Sequence, residues 1–196
     1  MLESPAHRIL RYDDGGWAEA AGGHVALDLV NTVSWRLDPS RTVDRLPDGE
    51  ALVRWAHFVG LLEGREVGDD VAARVRKLRE QLYCVVQPLA VGEQPAAPDV
   101  ERLRRTLIGA VGRADVASVM PLELSGADLR DELALAAWRL LVREDPRRIR
   151  QCRASDCGWI FLDRTKNASR VWCSSADCGN RSRARRHYAR RTAEQR

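Results

Sequence analysis

Apolar residues recur at helical spacing through the first three quarters of the chain. Leu52, Trp55, Ala56, Val59 and Leu62 mark one amphipathic helix, opened by Pro47-Asp-Gly-Glu50 and ended at Gly64. Val71, Val75, Leu78, Leu82, Val85, Val86 and Leu89 form a longer stripe. Asp69 or Asp70 is its expected cap, and it is expected to stop near Pro88, with Gly92, Pro95 and Pro98 beyond. Ala26, Leu29, Val30 and Val33 predict a short helix, and Pro98-Asp99 lead into another over Val100–Ile108. Val116–Leu124 alternates in part and predicts one strand, at an edge because Pro121 removes a donor. Ser125-Gly-Ala-Asp128 has capping-box spacing before a helix carrying Leu129, Leu133, Ala136, Ala137, Leu140 and Leu141. A short strand is expected near Ile9–Tyr12. Residues 1–146 thus predict a mainly α domain with a minor β element and one core.

The periodicity stops at Pro146. Residues 147–196 instead carry Cys152, Cys157, Cys173 and Cys178, two close pairs in a segment too short for a hydrophobic core. Two pairs of thiolates around a short insert suit one tetrahedral Zn²⁺, closed to further ligands and therefore structural. Each pair encloses four residues where two are usual, and an iron–sulfur cluster would use the same ligands. Trp159-Ile-Phe-Leu162 and Val171-Trp172 predict the strands of a hairpin around the polar turn 163–169. The expectation is a small four-cysteine zinc finger, a β-hairpin plus helix, that owes much of its folding free energy to metal. Cys84 lies beside a helix stripe and is expected to be buried or half-buried.

Charge divides at the same place. The whole chain is +4, but residues 1–146 are net −6 and residues 147–196 net +10. After Cys178 a helix is expected to Thr192, capped by Ser174 and rich in arginine. Arg185, Arg186 and Arg190, with Arg183 as a secondary candidate, are the expected phosphate contacts on DNA. A solvated basic terminus that binds nothing specific is the alternative. Arg181 follows the last cysteine so closely that it either faces DNA or pairs inward with Asp163 or Asp177, the inward brace being favoured. Gly179 permits close packing of the knuckle, and Asn180 can hydrogen-bond across it.

Cys152, Cys157, Phe161, Asp163, Asn167, Ser169, Arg170, Trp172-Cys173-Ser174 and above all Cys178-Gly179-Asn180-Arg181 resemble the bacterial CGNR zinc finger. Ala26-Leu-Asp-Leu-Val-Asn-Thr-Val33, followed by Asp44 and Leu46, resembles the ABATE domain that usually precedes it. Thr165 and Arg183 stand where Ser and Lys are expected, and keep the polarity or charge. The resemblance implies a stress-responsive transcription regulator with the finger as its DNA-binding part.

No nucleotide loop, nucleophile elbow or HExxH is present, so an enzyme is not expected. Asp28, Asn31 and Arg36 either brace neighbouring chain or line a small-molecule pocket, which leaves a ligand-sensing regulator open. The acidic helical part could also form a homodimer. The rival class is a protein-interaction module working through exposed Trp159, Phe161 or Trp172. With no secretory leader and no long apolar run, the expected setting is a reducing cytoplasm, with double-stranded DNA as partner and no membrane.

Overall fold

The computed structural model describes residues 9–11, 17–61 and 67–194. It opens with an antiparallel pair, β1 (Ile9–Arg11) and β2 (Trp17–Glu19). Helix α1 (Val25–Val30) follows, with all six residues buried at the centre of the molecule. Strands β3 (Val33–Ser34) and β4 (Val43–Asp44) pair across a loop. Helices α2 (Gly49–Phe58), α3 (Asp69–Val91), α4 (Ala97–Arg113) and α5 (Leu129–Arg143) wrap the core. Strands β5 (Asp115–Val119) and β6 (Leu122–Ser125) lie between the last two helices. The chain ends with β7 (Ile149–Gln151), β8 (Ile160–Leu162) and α6 (Asn180–Glu194).

Several boundaries differ from the sequence expectation, each for a local reason. Helix α2 stops at Phe58 because Gly60 turns left-handed (φ 78°), ahead of Gly64, which lies outside the described residues. Asp69 and Asp70 sit inside α3, whose cap is Gly68. Asp69 instead accepts from the Gly49 N–H at 2.7 Å and ties the start of α2 to that of α3. Helix α3 continues through Pro88 and ends at left-handed Gly92. The bond that Pro88 cannot make falls on the solvent side, at Cys84, which is exposed and not buried as expected. Helix α4 extends past Ile108 to Arg113. Val116–Leu124 is not one strand but a hairpin, β5 and β6 turning at Met120-Pro121. The cap of α5 is Asp128, which accepts from the Asp131 N–H at 2.8 Å.

The finger is built differently from the predicted hairpin. β8 pairs with β7, ahead of the first cysteine, and Val171-Trp172 forms no strand. β8 is the seam of the molecule. Its alternation sends Ile160 and Leu162 into the helical core, on the side of α1 and α3. Trp159 and Phe161 point the other way, into a cluster with the four cysteines. Ile149 of β7 joins the helical core as well. Residues after 147 therefore complete the hydrophobic core of residues before it.

His24 caps α1, its Nδ1 accepting from the Ala26 N–H at 3.2 Å. Burial, then the charges of Arg164 and Arg139, lower its pKa to about 4. Above the unfolded value near 6.5 neither state is protonated and this group leaves stability unchanged. Between 6.5 and 4 the unfolded chain takes a proton that the folded one refuses, so stability falls as pH drops, by roughly 3 kcal/mol in full. His24→Asn keeps a capping acceptor and should flatten that window in urea unfolding curves. An unchanged pH slope in the variant would rule His24 out as its source.

Candidate metal centre and nucleic-acid interface

Cys152 follows β7, Cys157 closes the first knuckle, Cys173 ends the loop after β8, and Cys178 lies in a wide turn over Ser175–Gly179 that opens α6. All four are buried and their Sγ atoms lie within 4.8 Å of one another. Cys157 and Cys173 stand 3.7 Å apart, Cys173 and Cys178 3.5 Å. Thiolates bound at about 2.3 Å to one tetrahedral ion sit about 3.8 Å apart, so the cluster is close to the spacing that Zn²⁺ needs. Trp159, Phe161 and Trp172 shield it on the apolar side.

Charged side chains hold the knuckles from outside. Asp163, wholly buried, accepts from the Thr165 N–H (2.9 Å) and hydroxyl (2.5 Å) and from the Arg170 N–H (2.9 Å), which closes the loop. Burial alone would raise its carboxyl pKa, but these donors hold it below the usual range. Arg170 stacks on Phe161 and donates to the carbonyls of Trp172, Cys173 and Ala21, the last lying before α1. Gly179 is buried, and a Cβ there would stand 3.2 Å from the Trp172 ring. The Asn180 amide donates to the Ala176 carbonyl at 2.6 Å across the turn.

Arg181 faces inward. It donates to Asp177 at 3.1 Å and to the Cys178 sulfur at 3.0 Å, and its guanidinium lies 4.3 Å over the Trp35 ring. Arg41 covers Trp35 at 4.0 Å as well. Arg41 and Arg185 both donate to Asp156, at 2.6 and 2.5 Å, and Arg181 approaches it at 3.7 Å. Burial would raise the Asp156 pKa, yet Arg185, Arg41 and Arg181 hold it low and charged. This junction fixes the direction of α6 against the loop 35–41. Neither Asp156 nor Trp35 stood out in the sequence as its centre. Nothing in a spacing pattern reports that one carboxylate will collect cations from two distant segments.

The expected phosphate contacts separate into two groups. Arg185 is engaged by Asp156, and Arg183 donates to Asn180 and to the Ser175 carbonyl. Arg186 and Arg190 are exposed and form no ion pair among the described residues, and neither does Arg191, one residue on. Asp28, Asn31 and Arg36 each meet a partner within the protein. Asp28 accepts from the Gly22 N–H at 2.8 Å. The Asn31 amide accepts from the Ile160 N–H at 2.9 Å and donates to its carbonyl at 2.8 Å. Arg36 forks onto Glu80 at 2.9 and 3.1 Å and stacks on Tyr83. Asp44, four-tenths exposed, forks with buried Arg79 at 2.7 Å, and Leu46 is wholly buried. The apolar-polar run that opens the chain's resemblance is therefore a brace between its halves.

Among protein families, residues 23–151 match the ABATE model, described as a putative stress-induced transcription regulator. Residues 148–191 match the CGNR zinc finger, so the four-sulfur centre is a site for one zinc ion. The two matches meet on β7, the strand that closes both the core and the metal centre. No curated protein matches the chain.

Proposed function

The chain belongs to the ABATE family and carries a CGNR zinc finger, and from that premise we propose that it is a transcription regulator, not an enzyme, that binds double-stranded DNA through α6. The observation that supports this most is the division of labour along that helix. Arg181, Arg183 and Arg185 spend their donors on the protein, whereas Arg186, Arg190 and Arg191 stand in solvent with no acidic partner among the described residues. Arg186 and Arg190 lie one turn apart on one side, on a helix of 15 residues, about 22 Å long. Cations held out in that way, on a helix whose root is tied to a metal knuckle, suit the phosphates flanking a groove. The rival interaction module loses two of its three anchors, since Trp159 and Phe161 are buried against the metal centre. No helix among the described residues is long and apolar enough to cross a membrane, and a cytoplasmic setting fits reduced cysteines.

Arg186→Ala and Arg190→Ala should each lower the salt slope of log affinity for a selected DNA fragment by roughly one unit, with zinc content unchanged. Arg185→Ala should instead loosen the Asp156 junction, which would show as lower stability. DNA affinity and salt slope unchanged in the Arg186/Arg190 double variant would remove α6 as the electrostatic contact.

A further inference from the structure

Between the C-terminal turn of α3, strand β7 and the loop 168–171 lies an open groove of about 800 Å³. Its size falls in the range of small-molecule sites. One wall is the helical part (Leu89, Val91), the other is the finger, down to the first cysteine knuckle. Arg147, Arg150, Arg153 and Arg170 line it, and no lining residue is Asp or Glu. Arg170 is consumed by backbone carbonyls and Arg147 is paired with Asp145 at the rim. The side chains of Arg150 and Arg153 have no ion pair or hydrogen-bonded acceptor among the described residues. Guanidinium groups without an acceptor offer paired donors to an oxyanion. The end of α3 does not oppose an anion strongly, because the Leu89 and Pro88 carbonyls are taken by the Gly92 and Glu93 N–H groups.

We propose that this groove is an effector site for a small organic phosphate, its oxyanion held by Arg150 and Arg153 and its apolar body set against Leu89, Val91 and Val171. Such a ligand would touch the helical part and the finger at once, which gives an effector a handle on the metal knuckle that Asp28, Asn31 and Arg36 do not provide. Apolar walls inside a concave site favour a compact ligand over a stretch of DNA backbone.

The test uses the zinc-loaded full chain without DNA, so it does not depend on α6. Phenyl phosphate should move the amides of Gly92, Arg150, Arg153 and Val171 saturably, and more tightly than inorganic phosphate does. Arg150→Gln with Arg153→Gln should weaken binding roughly tenfold at unchanged zinc content. Arg153→Glu, at an exposed position outside the strand, repeats the test should the double variant fold poorly. No saturable movement in the millimolar range, or equal binding by Arg153→Glu, overturns the site. A DNA fragment that moves the same amides, with a salt slope reduced by the arginine variants, overturns the effector assignment and gives the groove to the DNA backbone.

Discussion

Cys173→Ala should unfold the whole molecule and not the finger alone. Loss of one thiolate from a four-sulfur site removes the ion that holds the knuckles, and metal binding is folding free energy in a module of this size. The consequence is carried inward by β7 and β8. Ile149, Ile160 and Leu162 are at most 2% exposed within the helical core. Each fully buried aliphatic side chain of this kind contributes about 1.5–3 kcal/mol. Withdrawing the three together costs about 4.5–9 kcal/mol, comparable with the lower half of the total stability of single domains, about 5–15 kcal/mol. The variant should therefore lose amide dispersion in α1, α3 and α5 along with the finger, and the parent should do the same on zinc removal by a chelator. Retained dispersion in residues 69–143 of the variant would show that the core closes without the hairpin.

The sequence expectation of two separately packed units, 1–146 and 147–196, comes from a real change in pattern. Helical periodicity ends at Pro146, and the cysteines and arginines begin just beyond it. What that pattern cannot carry is the partner of β8. Trp159-Ile-Phe-Leu162 is apolar at every position, which fits a strand buried on both faces. A buried second face needs a second core, and nothing local says that α1, α3 and α5 supply it. The metal centre was legible because its ligands are set by residue type and spacing. The inward role of Arg181 was legible because it follows Cys178 by three residues and Asp177 by four. Arg185 is among the expected phosphate contacts, and its pairing with Asp156, 29 residues away, is beyond what spacing reports. The pairing of β8 with β7 was missed because Ile149–Gln151 is short, mixed in polarity and placed before the first cysteine.

The second large effect is expected at Asn31. The outer edge of β8 has no neighbouring strand among the described residues, so its backbone groups need other partners. Leu162 donates to the Gly22 carbonyl, and the Asn31 amide meets both the N–H and the carbonyl of Ile160, acting as a one-residue strand. Asn31 is 3% exposed, so water cannot replace it. Asn31→Leu leaves two buried backbone groups unmade, at about 1–3 kcal/mol each, and should lower unfolding free energy by roughly 2–6 kcal/mol. Asn31→Asp keeps an acceptor for the Ile160 N–H but sets oxygen against the Ile160 carbonyl, so it should fail to rescue. Because Phe161 in β8 and Trp159 just before it lie against the sulfurs, both variants should release zinc faster to a chromogenic chelator. Urea unfolding and the release rate check this together. Parental values for both in Asn31→Leu would return Asn31 to a ligand-lining role, because a residue that serves only an effector has no reason to hold the finger to the core.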